Sequence, residues 1–203
     1  MRLNDIERML SSIPPHPAPK LELEQYETPA ALAAPLLFEA VTMGDIEGRR
    51  IVDLGCGTGV FAIGAALLGA ASATGVDVDA ASIELARGAA RKLRAAVDWV
   101  EADVRGWRGA VDTVLMNPPF GAQQRGADRA FLDAAMASAP VVYTLHNAAT
   151  RAFVESYAAE GGFRATHAWR LLFPLRHQYR HQEKAVQEIE VVALRLTKSR
   201  ESA

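Results

Sequence analysis

Asp53-Leu54-Gly55-Cys56-Gly57-Thr58-Gly59 is the stretch on which the fold turns. It follows the apolar run Arg50-Ile51-Val52 and leads into Val60-Phe61-Ala62-Ile63, so a short strand passes through a glycine-rich turn into a helix. Glycines let such a turn take φ > 0 and lie close to a ligand. The spacing is not the GxGxxG of dinucleotide sites, where the turn cradles a pyrophosphate at the helix N-terminus. Here Asp53 precedes the glycines. A carboxylate at that place disfavours phosphate and favours a cation or an amine, such as the ammonium of an amino-acid ligand.

Further strand ends supply further acids. Asp77, in Gly75-Val76-Asp77-Val78-Asp79, falls about 20 residues after the glycines, where a ribose diol is held. Asp103 closes Glu101-Ala102-Asp103 and could accept from an adenine amino group, with the Val104 N–H offered to the ring. An Asp at a strand end is by itself a common turn or cap residue. Behind the glycine turn, the three acids together read as partners for a nucleoside that carries an amino acid. A fourth strand end reads Asn117-Pro118-Pro119-Phe120-Gly121. The prolines lock the backbone, so the Asn117 side-chain oxygen and the Pro118 carbonyl stand ready to accept from one NH2 group. Phe120 offers a flat face for a planar group.

Around these motifs, short apolar runs at 50–55, 72–79, 97–103, 111–117 and 140–147 alternate with helical stretches at 59–69, 80–95, 128–138 and 148–160. That alternation predicts right-handed βαβ units and a parallel sheet. The runs 167–175 and 188–196 have no helix between them, so they pair antiparallel as a hairpin. The expectation is a single α/β domain over 1–203: a doubly wound seven-stranded sheet with six strands parallel and one antiparallel. Its core spans 49–160 and its C-terminal hairpin 161–203. Residues 1–48 supply an amphipathic helix at 2–12 and a stiff extended connector where Ile13–Pro19 holds four prolines. A second helix follows, with Thr28 as N-cap and Pro29 as first residue, ending at Gly44.

Half of the 203 residues are hydrophobic and 23% are charged, a globular composition. The single cysteine excludes an internal disulfide and suits a reducing compartment. No apolar run nears the roughly 20 residues of a membrane span, so a cytoplasmic location is expected. The five histidines lack metal-ligand spacing, and no metal is expected. With a net charge of −2, contact with nucleic acid must come from a local patch. Arg87, Arg91, Lys92 and Arg94 read as a solvated helix face. Arg176, Tyr179, Arg180 and Lys184, in the hairpin turn, combine charge with a stacking ring and read either as an RNA contact or as an ordinary polar loop.

DLGCGTG, VDVD, EADV and NPPFG, in this order, resemble the class I S-adenosylmethionine-dependent methyltransferases that modify amino groups, which have a Rossmann-like fold. LEQYETP (23–29), YTLHNAATR (143–151) and YRHQEKAVQEIEV (179–191) narrow the likeness to the small methyltransferase-like family that makes N6-methyladenosine in small-subunit ribosomal RNA. The likeness spans about Arg2 to Thr197. It implies that Gln25, Tyr26 and Thr28 line the cofactor pocket with Gly55, Gly57, Thr58, Gly59, Val60, Asp77, Val78, Asp103 and Val104, and that Asn117–Phe120 is the catalytic tetrad. S-adenosylhomocysteine would be the product. Methylation of a glutamine amide in a release factor is a rival activity, and a non-catalytic cofactor-binding scaffold a rival of another class. The resemblance also implies a small zinc-ribbon activator subunit as a candidate partner, since eukaryotic members and relatives in neighbouring families work with one. The strand order implied by the resemblance makes 97–102 an apolar outer strand, where an activator could add a strand. Alternatively, Trp99 packs under the neighbouring helix and the edge is simply short.

Overall fold

The computed structural model describes residues 2–20, 23–119, 126–175 and 187–199. Its strands are β1 Arg50–Leu54, β2 Ser72–Asp77, β3 Asp98–Glu101, β4 Thr113–Met116, β5 Val141–Asn147, β6 Phe163–Leu175 and β7 Gln187–Lys198. They form one seven-stranded sheet in the order β3-β2-β1-β4-β5-β7-β6. The first five pair in parallel, and β7 runs antiparallel between β5 and β6. The expected architecture, including the hairpin that inserts one reversed strand, is the one observed. The hairpin strands are longer than the pattern indicated: β6 begins at Phe163, ahead of a bulge between Ala165 and His167 that breaks its alternation.

The helices are α1 Leu3–Leu10, α2 Ala30–Thr42, α3 Val60–Leu67, α4 Ala80–Leu93, α5 Ala127–Ser138 and α6 Arg151–Glu160. Central strands such as β1 and β4 are buried on both faces, which explains their unbroken apolar runs. On one face Ile6, Leu10, Leu37, Phe61 and Ala89 bring α1 to α4 into a single core with Ile51 and Tyr143. On the other, Leu132, Ala135, Val154 and Ala158 of α5 and α6 close over Val52, Val114 and Val142. Among the described residues no helix is long and apolar enough to cross a membrane.

Two local expectations need correction or resolution. Thr28 is not a helix cap: Pro29 takes the cap position of α2 and no side chain caps it. The Thr28 hydroxyl is instead drawn away to accept from Asn117 Nδ2 at 3.0 Å. At the outer strand β3, Trp99 packs inward. A Cβ on Gly75 would lie 2.3 Å from the indole, and one on Gly59 2.5 Å, so the ring occupies space that only these glycines leave open. The exposed side chains of that strand are Asp98 and Glu101.

This packing makes a testable demand. Gly75→Ala should destabilise the fold by about 1–3 kcal/mol, because the half-buried indole must move within a packed layer. In a Trp99→Leu background the same change should cost far less, since contacting residues couple. Chemical denaturation of the four proteins measures it; equal costs in both backgrounds would mean that the ring does not limit position 75.

Candidate active site

The carboxyl ends of β1, β2, β3 and β4 converge on one cavity. β1 delivers Asp53, which is 1% exposed, and its Oδ2 accepts from Ala62 N at 3.0 Å. The acid thus caps α3 from below the glycine turn. Gly55 and Gly59 take φ of 68° and 87°, and a Cβ on Gly55 would meet Phe131 of α5 at 2.8 Å. Close packing as well as backbone freedom therefore demands glycine here.

At the end of β2, Asp77 accepts from Gly57 N at 2.8 Å and from Asp79 N at 2.9 Å. It ties the glycine turn to the neighbouring strand while keeping lone pairs for a ligand. Asp103, after β3, heads a short 3-10 turn, Val104–Gly106, and accepts from Arg105 N at 2.8 Å. Asn117 follows β4. Its Nδ2 is committed to Thr28, whereas its Oδ1 is buried and has no hydrogen-bond partner. An orphaned buried acceptor costs free energy unless a ligand supplies a donor.

Burial governs the charges. It pushes the Asp53 carboxyl up to about 7, against the opposing pull of the Ala62 N–H. Asp77 is raised in the same way. The Cys56 thiol is driven far above its ordinary value by burial and by Asp53 and Asp77, so it stays a neutral thiol, unsuited to nucleophilic attack.

Of the residues singled out in the sequence, Gln25, Tyr26, Thr28, Asp53, Gly55, Gly57, Thr58 and Val60 stand on the cavity wall. So do Asp77, Val78, Asp103, Val104, Asn117 and Pro119. Gly59 shapes the turn beneath, and Pro118 holds Asn117 and Pro119 in place without itself lining the cavity. Phe120, Arg176, Tyr179, Arg180 and Lys184 lie outside the described residues. Gln25 also braces the wall on which it stands. Its Nε2 donates to Asp79 at 2.9 Å and Ser82 at 3.3 Å, and its Oε1 accepts from Lys20 N at 2.7 Å. Its polar ends bind the protein.

Sequence reasoning missed a second centre, Asp79. This N-cap of α4 also accepts from Lys20 Nζ at 2.9 Å and from Ser82 Oγ at 3.1 Å. Burial pushes its carboxyl up, but the bonds from Lys20, Gln25, Ser82 and Ala81 outweigh that and hold it well below the usual range. These bonds fold residues 16–20 and 23–28 over the cavity, adding His16 and Leu23 to its wall. A proline-rich stretch carries no pattern that says where it docks. Ala130 and Phe131, also on the wall, read in the sequence only as apolar positions of a crossover helix.

Comparison with known proteins accords with this geometry. The methyltransferase small domain matches residues 32–142. The chain is 42% identical to an uncharacterized protein of Methanocaldococcus jannaschii, over 95% of this chain and 93% of that one. It is 35% identical to the rRNA N(6)-adenosine-methyltransferase Mettl5 of Drosophila melanogaster, over 94% of each. A crystal structure from Pyrococcus horikoshii, described as a candidate RNA methyltransferase, superposes with a TM-score of 0.91 at 36% identity, covering 98% of both chains. A domain match over more than half of the chain, and relatives aligned along nearly all of it, identify this protein as a member of the methyltransferase small domain family.

Proposed function

We infer that this enzyme transfers a methyl group from S-adenosylmethionine to N6 of an adenosine in ribosomal RNA. The observation that carries the reading is the buried, unpartnered Asn117 Oδ1, held beside two prolines at the rim of the cavity. The rRNA adenosine methyltransferases aligned along nearly all of the chain support it. The donor set fits the cofactor. Asp53 suits its ammonium, Asp77 its ribose diol and Asp103 its adenine amino group, while the glycine turn leaves room for its backbone-hugging chain.

When bound, the sulfonium supplies a methyl group whose departure leaves a neutral thioether, so no strong base is called for. The chain's own task is positioning. Thr28 accepts from Asn117 Nδ2 and so fixes which end of the amide faces the substrate. Asn117 Oδ1 and the Pro118 carbonyl then accept from the adenine NH2, drawing its nitrogen toward sp3 so that the lone pair localises and points at the methyl carbon. Phe120 stacks on the base. The rigid Pro118-Pro119 pair keeps both acceptors in register.

The same reading extends to small-subunit rRNA as substrate and to contact with it through Arg176, Tyr179, Arg180 and Lys184. It also extends to a small zinc-ribbon activator pairing along the main-chain edge of 97–102. The terminal place of β3 in the sheet supports that last point, whereas the inward packing of Trp99 leaves only backbone and charged side chains for a partner.

Two outcomes test the reading. Asn117→Ala should abolish methylation of small-subunit rRNA, assayed with labelled cofactor and digestion to nucleosides, while S-adenosylhomocysteine affinity stays nearly unchanged. Turnover within a few-fold of wild type would reduce the tetrad to a structural turn. The second outcome follows from Asp53. Its folded value of about 7 lies above the ordinary 3.8, so its contribution to stability is full below 3.8 and is lost as pH rises through 7. Without ligand, Tm should fall between about pH 4 and pH 7. Saturating S-adenosylhomocysteine, whose ammonium offsets the carboxylate, should flatten the fall. A fall that persists unchanged with ligand would remove Asp53 from the ammonium site.

A further inference from the structure

A ribose hydroxyl has one hydrogen to give and lone pairs that need donors. A carboxylate such as Asp77 can satisfy only the hydrogen. In a pocket cleared of water, a hydroxyl oxygen left without a donor loses affinity. Most donors around Asp77 are already committed. Gly57 N and Asp79 N donate to Asp77 itself, the Ser82 hydroxyl to Asp79, and Gln25 Nε2 to Asp79 and Ser82.

His16 is different. It stands on the cavity wall with its side chain 8% exposed. Its Nδ1 accepts from Ala18 N at 3.1 Å, which puts the proton of the neutral ring on Nε2. That nitrogen is buried without a hydrogen-bond partner. Its ionic neighbour, Asp79 Oδ2, is 3.6 Å away, beyond hydrogen-bond reach, and the Asp79 carboxylate is already occupied by Lys20, Gln25 and Ser82. The His16 backbone N–H donates to the Glu27 carboxylate, which fastens the imidazole to the far end of the same covering segment. The molecule thus holds a tautomer-fixed, buried donor at the wall of the cavity that Asp77 also lines.

Resting on the reading of this cavity as the S-adenosylmethionine site, we propose that His16 is a cofactor-binding residue whose Nε2–H donates to a ribose hydroxyl engaged by Asp77. The contact belongs to the Pro-rich segment, which the Asp79 bonds already hold over the cavity.

Calorimetry with S-adenosylhomocysteine and its 2′-deoxy and 3′-deoxy analogues, on wild type, His16→Phe and His16→Gln, tests this. His16→Phe keeps a flat ring over the cavity and removes the donor; it should weaken S-adenosylhomocysteine about tenfold. His16→Gln, with an amide N–H at similar reach, should recover most of the loss. With the analogue that lacks the contacted hydroxyl, wild type and His16→Phe should bind alike; with the other analogue the difference should persist. Equal losses for all three ligands, or no loss on His16→Phe, would overturn the proposal and leave His16 a packing residue. Failure of the wild type to bind S-adenosylhomocysteine at all would instead overturn the cofactor reading on which it rests.

Discussion

The bond from Ala62 N to the buried Asp53 carboxylate fixes the relation between the first strand and the first crossover helix. A carboxyl at this depth is expensive to ionise, so the fold keeps it only where it satisfies helix donors that would otherwise be orphaned. With α3 anchored, the glycine turn is pressed between Phe131 on one side and Trp99 on the other. The floor of the cavity is therefore a consequence of packing on both faces of the sheet. The same carboxyl, raised toward neutrality by its burial, is poised to respond to a cation arriving above it.

The remaining walls are recruited from far along the chain. Asp79 gathers Lys20 and Gln25 across 59 and 54 residues, and Asn117 reaches Thr28 across 89. One covering segment is thus latched at both the cofactor end and the substrate end. Tyr26 continues the seam, packing against the Leu32, Phe173 and Val191 cluster that joins the segment to the hairpin. At the opposite end of the sheet, Asp45 accepts from Tyr143 at 2.7 Å and from Arg195 Nε at 2.7 Å, linking the end of α2 to β5 and β7. Burial and Asp45 drive the Tyr143 hydroxyl well above its usual value, so it remains a donor. Removing one member of such a buried pair costs more than the pair contributes, because the survivor is left uncompensated.

The order of strands and helices was legible because burial on both faces of a parallel sheet writes itself as apolar runs, and crossover helices as their interruptions. Asp53, Asp77, Asp103 and Asn117 were legible for a related reason: topology brings the carboxyl ends of adjacent parallel strands to one edge, so residues there share a site wherever the helices lie. Thr28 was misread because a Thr-Pro pair has the local chemistry of a helix start, and only the approach of Asn117 from another strand turned the hydroxyl to a different use. Gln25 was placed at the right wall, but its amide was found to serve Asp79 and Ser82.

The sequence by itself thus determined the sheet, its reversed strand, the glycine turn and the acids that crown it, since each follows from local periodicity or from the end of a strand. Tertiary structure decided which way the Asn117 amide faces, where the proline-rich segment comes to rest, and that Trp99 turns inward. It also decided that His16 and Phe131 reach the cavity. These depend on contacts between residues tens of positions apart, and a side chain's choice among distant partners leaves no periodic trace in the chain that carries it.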